Sequence, residues 1–213
     1  MSVLIRGNTG EAIVGDGEGQ AEARFDRLSG LAVTELRQHY AEMVARGRAF
    51  VAVNTAGAAP GTALATTAGA FALWNPPSSQ VNLEIMEAEV VYLSGTLGAG
   101  VLYYVTHDYS AVAPTGTALV PKPLLLGSTA GPKAKAYSAP TAGLGANPAA
   151  LRPMAVWAAP AAQPTGPQLG AREVLDGEMV VAPGGTLSFQ EIGAAGTTPL
   201  IIVAVAWEEV PVT

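Results

Sequence analysis

Histidine, the side chain most often used for metal binding and for proton transfer near neutral pH, occurs only twice in this chain, as His39 and His107. His107 is followed by Asp108, so the pair could supply two metal ligands, but a stable site needs three or four. No second histidine lies at a ligand spacing from either one. We therefore predict no metal site, and we expect His39 to be a surface or interface side chain of a helix.

Catalysis by a serine nucleophile requires a base beside it. The chain has no Gly-x-Ser-x-Gly elbow, and no base lies near a candidate serine in the sequence. The absence of cysteine excludes a cysteine nucleophile, a disulfide framework and a thiolate metal site. No glycine-rich phosphate loop with its lysine occurs. The sequence thus predicts no catalytic residue and no cofactor, and we expect a protein that is not an enzyme.

Three acidic residues share one predicted strand, where Glu84, Glu87 and Glu89 could supply the carboxylate pair of a glycoside hydrolase. Acidic side chains on the wet face of an antiparallel sheet have a simpler explanation, because that face is ordinarily polar. We favour a solvent-exposed face. A β-fold hydrolase stays as the last of three functional hypotheses.

Aromatic residues offer a platform on which a sugar ring could stack. Trp74 comes just before Asn75-Pro76-Pro77 and is expected to be exposed, whereas Trp207 ends an apolar run and is expected in the core. Tyr103 and Tyr104 are predicted to lie on opposite faces of one strand. Together with long proline-rich loops, these residues define a second hypothesis, a receptor- or glycan-binding module of a tail or head fibre.

Charged residues make up only 13% of the chain, against ~25% in an average soluble domain. Either a coding bias toward alanine and glycine or the burial of much of the surface in an assembly explains this, because interface cores are poor in charge. The formal net charge is −6 and no basic cluster occurs, which argues against a nucleic-acid partner. No apolar run approaches the ~20 residues of a membrane helix, so we predict no membrane partner.

Residues 1–48 are predicted to form an N-terminal arm and one helix that anchor the protein or join its subunits. Up to about residue 28 the chain is rich in glycine and acidic residues, and such a segment cannot bury enough apolar surface to order itself. Apolar residues then recur at helical spacing over residues 34–46. Thr34 can cap the start of this helix and Gly47 its end.

Residues 49–213 are predicted to be mainly β, an antiparallel β-sandwich, because short apolar runs alternate with proline and glycine at the spacing of such a fold. Residues 81–93 contain no turn residue, yet their apolar phase flips after Ile85, which indicates a β-bulge. Prolines favour long exposed loops over residues 139–153 and 158–171.

The stretch 200–207 is apolar at all eight positions. A strand that is apolar on both faces must be covered on both faces. We therefore expect the last strand of the chain to be an interior strand that closes the sandwich.

Three segments resemble recurring elements of bacteriophage virion proteins of unknown or decoration-type role. They are residues 46–50 at the end of the predicted helix, residues 74–83 (Trp-Asn-Pro-Pro-Ser-Ser-Gln-Val-Asn-Leu), and residues 181–187 together with the closing residues 207–211. None of these is a catalytic motif. The resemblance implies a jelly-roll-like subunit, often trimeric, attached to a capsid or tail.

The resemblance and the charge-poor composition lead us to expect a virion structural protein, most concretely a capsid decoration (cement) protein that acts as a homotrimer. It would be made in the host cytoplasm, bind the major capsid protein or another virion protein, and stabilise the assembled shell by mass action. The candidate partner contacts are Arg6, Glu11, Asp16, Glu18, Arg24, Glu35, His39, Glu42 and Trp74.

Overall fold

A computed structural model describes residues 40–157 and 170–212. The chain divides into two units, Met1–Glu42 and Met43–Thr213, and nearly all described residues belong to the second. The described residues form one short helix and twelve strands. These are α1 (Ala41–Ala45), β1 (Ala49–Val53), β2 (Phe71–Trp74), β3 (Val81–Thr96), β4 (Gly100–Thr106), β5 (Thr115–Ala118), β6 (Lys122–Pro123), β7 (Lys135–Ala142), β8 (Ala149–Trp157), β9 (Gly170–Val174), β10 (Val180–Val181), β11 (Thr186–Gly193) and β12 (Thr197–Pro211).

The strands form two antiparallel sheets. The first has the order β10-β3-β12-β1-β6. Strand β9 also pairs with β3, at residues further along β3 than those that pair with β10. The second has the order β5-β7-β2-β11-β4-β8. The prediction of a mainly β, antiparallel sandwich with one helix is confirmed.

Eight of these strands have the pairing of a jelly roll. Moving inward from the ends of the chain, β1 pairs with β12, β2 with β11, β3 with β9, and β4 with β8. The four pairs alternate between the two sheets, as if one long hairpin had been rolled up. Strands β5, β6, β7 and β10 extend the edges of this arrangement.

Aromatic and branched aliphatic side chains from both sheets fill the space between them. Phe189 of β11 packs against Tyr104 of β4 and Phe71 of β2, with ring centroids 5.2 Å and 5.9 Å away. On the other sheet, Phe50 of β1 lies beside Trp207 of β12 at 6.2 Å. The placement of Trp207 in the core is confirmed, because its side chain is fully buried.

Strand β12 lies between β1 and β3 in the first sheet. Ile201, Val203, Val205 and Trp207 on its inner face are fully buried. Its outer-face residues, such as Ile202, are half-buried. The prediction that both faces are covered is therefore met fully on one face only. Small residues at outer positions leave little apolar area for solvent to reach.

A β-bulge in β3 is confirmed at the predicted place. Ala206 and Trp207 of β12 pair with Glu87 and Ile85, so Met86 is the extra residue on the bulged strand. The bulge turns both Ile85 and Met86 into the protein. It also separates two partners of β3, because β10 pairs before the bulge and β9 pairs after it.

The described part of the predicted helix is short. Helix α1 covers five residues, Ala41–Ala45, and the predicted start at Thr34 lies outside the described residues. Gly47 ends it as predicted, with a positive φ of 69° and its N–H donated to the Val44 carbonyl at 2.9 Å.

The prediction of a long loop over residues 139–153 is wrong. Strand β7 continues to Ala142 and β8 already begins at Ala149. Proline is tolerated in β8 because β8 is the edge strand of its sheet. Its register against β4 slips at Leu151 and at Met154, and these two bulges flank Pro153.

Replacing Trp207 by alanine is expected to lower the free energy of unfolding by about 3–5 kcal/mol, because it removes the largest buried ring and leaves a cavity between the sheets. Urea denaturation followed by circular dichroism measures this. Val212→Ala, at a half-exposed site five residues later, should change stability by less than about 0.5 kcal/mol. Similar midpoints for both variants would contradict the position of β12.

Candidate functional site

Most of the predicted partner contacts lie outside the described residues. These are Arg6, Glu11, Asp16, Glu18, Arg24, Glu35 and His39. Glu42 lies on α1 and is exposed. The remaining predicted contact, Trp74, belongs to β2.

The prediction that Trp74 is exposed is wrong. Only 4% of it reaches solvent. Its indole N–H donates to the Ser110 carbonyl at 3.2 Å, and the Lys135 ammonium lies 5.9 Å from the centre of its ring. The cause is tertiary, because β2 lies between β7 and β11 and the segment after β4 folds across it. Trp74 therefore presents no open face to a sugar.

The strand carboxylates do not gather into a site. The carboxylate of Glu87 receives two hydrogen bonds from Arg172 of β9, at 2.5 Å and 2.8 Å, on the exposed side of the first sheet. Glu89 is exposed on the same strand. This is the polar outer face that antiparallel sheets commonly have.

The structure does bring a base to a serine, which the sequence did not reveal. His107 Nε2 lies 2.8 Å from Ser188 Oγ, across 81 residues of chain. Both residues are buried. The side-chain amide of Gln190 donates to the same Ser188 oxygen at 2.9 Å. Because the contact joins the end of β4 to the middle of β11, only strand pairing could have predicted it.

Burial favours the neutral form of His107. Desolvation lowers its pKa below the ordinary value, and an interaction with the Gly145 backbone and the charge of Asp108 oppose this in part. The amide of Gln190 uses its hydrogens on Ser188 and on the Ala65 carbonyl. The Ser188 hydroxyl can then donate to Nε2 of a neutral ring that carries its proton on Nδ1, although Nδ1 has no hydrogen-bond partner of normal geometry among the described residues.

This network attaches a surface segment to the sheet. Gln190 accepts the Ala65 N–H at 2.7 Å and donates to the Ala65 carbonyl at 2.9 Å, so the amide acts like one rung of a β-ladder. Ser188 is fully buried beneath it. The serine and histidine have the chemistry of a nucleophile and a base, but this packing gives a substrate no route to the hydroxyl.

A cleft of about 590 Å³ opens on the side of the sandwich where β8 and β10, one from each sheet, lie at the edge. Its walls are mainly apolar, with a few polar groups. It is lined by Thr106, Leu151, Arg152, Glu178, Met179, Val180, Val181, Ala182, Gly185, Thr186 and Leu187. Leu151 and Val180 are each about half exposed there.

Arg152 of β8 joins the two sheets beside this cleft. Its guanidinium contacts Glu173 of β9 at 2.6 Å and Glu178, just before β10, at 2.7 Å. It also lies over the ring of Tyr104, 5.9 Å from the centroid. An inward-pointing charge at a sheet edge discourages pairing with other chains. The sequence gives no sign of this role for Arg152, because its prolines predict a loop over residues 139–153 where the structure has β8.

Tyr104 stays protonated beneath Arg152. Burial raises the pKa of its hydroxyl above the ordinary value, and the nearby Glu173 carboxylate raises that pKa further. Both the Tyr104 hydroxyl and Glu173 Oε2 are buried and have no hydrogen-bond partner among the described residues. The two groups therefore do not form a hydrogen bond of normal geometry with each other. Thr186 Oγ1 and Arg152 Nε are also buried without a hydrogen-bond partner among the described residues, and both atoms belong to residues that line the cleft.

A second exposed feature is an apolar segment around β6, residues 119–126. Leu126 is 90% exposed and Val120 75% exposed. Leu125, between β6 and the next turn, is also exposed. Strand β6 covers only Lys122–Pro123, so Leu125 and Leu126 lie in the bend and turn that follow it. Exposed apolar residues close together mark interaction surfaces more often than isolated ones do.

Within the described ranges, no three side chains of metal-binding type come together. No helix of the described part is both long enough and apolar enough to cross a bilayer. Scans against family models, curated proteins and solved structures each returned no match to this chain.

The two ion pairs of Arg152 are expected to differ in strength. Glu173 is the less exposed partner, at 32% against 65% for Glu178. Double-mutant cycles with Arg152→Met, Glu173→Gln and Glu178→Gln should give a coupling of about 1 kcal/mol for the first pair and less than about 0.5 kcal/mol for the second. Both couplings should shrink in about 1 M salt. Equal couplings would contradict this geometry.

Acid is expected to destabilise the fold through His107. Because burial lowers the pKa of folded His107, the unfolded chain takes up a proton first as pH falls through about 6.5. The contribution of His107 to stability is thus complete above about pH 6.5 and is lost below it. Urea midpoints across this range should fall less steeply for His107→Gln than for the wild-type chain. Parallel curves would show that His107 is not the group responsible.

Proposed function

We propose that this chain is a structural subunit of a bacteriophage particle, most concretely a capsid decoration (cement) protein. In this proposal it assembles as a homotrimer in the host cytoplasm. It then binds the major capsid protein, or another virion protein, on the assembled shell. Because it binds only the assembled state, it stabilises that state by mass action.

The exposed apolar segment 119–126 is the observation that carries this proposal. A chain with only 13% charged residues keeps Val120, Leu125 and Leu126 in solvent at one place. Burying such residues against a partner is favourable by roughly 25 cal/mol per Å² of apolar area. The jelly roll supports the proposal more weakly, because viral capsid proteins, lectins and cupins all use it.

In this proposal the buried Ser188–His107 contact has a structural role. It attaches the segment containing Ala65 to the second sheet. A non-enzymatic role agrees with a serine that solvent does not reach.

Association with particles tests the proposal. Full-length protein is mixed with gradient-purified particles from the culture that produces it, and the bound fraction is measured by sedimentation. We expect the protein to move with the particles, and light scattering of the free protein to give three chains of 21.5 kDa. Protein that stays in the supernatant and is strictly monomeric would overturn the proposal.

A matched pair of variants locates the binding surface. Leu126→Asp should weaken binding to particles by about tenfold or more, because it puts a charge into a desolvated contact. Val212→Asp alters an exposed apolar residue outside segment 119–126 and should bind like the wild-type chain. Both changes lie at exposed sites, so unfolding midpoints should stay unchanged and confirm intact folds.

A further inference from the structure

We propose that the cleft between β8 and β10 is a binding site and that its occupant is the N-terminal segment of a second copy of this chain, residues 2–6. In this arrangement Val3, Leu4 and Ile5 enter the apolar cleft and Arg6 pairs with Glu178 at its rim. The inference rests on the proposed role as an assembling subunit and adds the contact that ties one subunit to the next.

The cleft has the chemistry of a site for an extended, mainly apolar segment. Leu151, Met179 and Leu187 supply apolar walls. Thr186 is one of the lining residues, and its buried Oγ1 makes no hydrogen bond with the described residues. An unpaired buried hydroxyl is unfavourable, and a hydrogen bond with a peptide carbonyl or N–H of an inserted segment would remove that cost.

The charges at the cleft select a segment that carries a cation. Arg152 is already shared between Glu173 and Glu178, so these three groups sum to one negative charge. The Glu178 side chain is 65% exposed and can accept a second partner. A segment with apolar residues followed by a basic one therefore complements this site.

Residues 2–6 match this requirement better than the other apolar runs before residue 40. Three large apolar residues are followed directly by Arg6. By contrast, Val14 is followed two residues later by Asp16, and Val33 two residues later by Glu35. Those runs would bring a negative charge to the negative rim.

The chain is long enough to reach a neighbouring subunit. Twenty-eight residues separate Ile5 from the predicted helix start at Thr34, and an extended chain of that length spans roughly 90 Å. Ordering such a segment costs entropy, which burial of its apolar residues in the cleft offsets.

Disulfide trapping between two chains tests this directly, because the chain contains no cysteine. Full-length Leu4→Cys with one affinity tag is mixed with full-length Leu151→Cys carrying another, and the mixture is oxidised. We expect a disulfide-linked heterodimer on a non-reducing gel, because residue 4 would lie within the short Cα–Cα range that a disulfide needs. Leu151 is half exposed, so the substitution leaves the core intact.

Thr117→Cys is the matched control. Thr117 is exposed on β5, at the opposite edge of the second sheet from β8. Leu4→Cys should link to Leu151→Cys several-fold more than to Thr117→Cys. Equal yields would overturn the inference. So would a Leu4→Cys/Leu151→Cys double variant that closes its disulfide only within one chain.

A charge exchange adds a second readout. Glu178→Arg should lower the heterodimer yield about two- to fivefold, the range of an exposed ion pair. Combining it with Arg6→Glu should restore the yield, and failure to restore it would overturn the pairing.

If trapping fails while the protein still binds particles, only this inference is overturned. If trapping succeeds without particle binding, the virion proposal falls and self-association through the cleft stands.

Discussion

Strand β12 can complete its hydrogen bonds only when β1 and β3 are both beside it, and the first sheet depends on this condition. β1 lies at residues 49–53 and β12 at residues 197–211, so their pairing joins distant parts of the chain. Contacts of such long sequence separation form against a large loss of chain entropy. The burial of Trp207 and three aliphatic residues of β12 against the second sheet offsets this loss of chain entropy. The C-terminal strand is thereby part of the interior of the fold.

Two asparagines hold the sheets together where the chain crosses between them. Asn54 follows β1 and donates to the Ala70 carbonyl next to β2, while its own carbonyl accepts the Val203 N–H of β12. Asn75 follows β2 and donates to the Val81 and Val181 carbonyls of the other sheet. Both are fully buried. Hydrogen bonds offset the cost of burying an amide, so each asparagine restrains its crossing through the bonds it makes, although Asn75 Oδ1 has no hydrogen-bond partner among the described residues.

The edges of the sandwich explain why its polar groups gather where they do. A rolled hairpin leaves β8 and the β9–β10 region as neighbouring edges of two different sheets. Arg152 closes part of that gap through Glu173 and Glu178, and the two bulges flanking Pro153 keep β8 from acting as a free pairing edge. What stays open is the cleft beside Thr186. Edge protection and an open cleft are thus adjacent results of one topology.

The amino-acid sequence by itself determined the features that depend on near neighbours along the chain. The bulge after Ile85, the end of the helix at Gly47 and the core position of Trp207 all follow from local periodicity and backbone preference. Tertiary structure alone decided which strand is an edge, and so whether β8 could contain proline. It also decided whether Trp74 is covered and whether His107 meets Ser188. These outcomes depend on which distant strands pair, and a period of two residues along one strand carries no information about its partner.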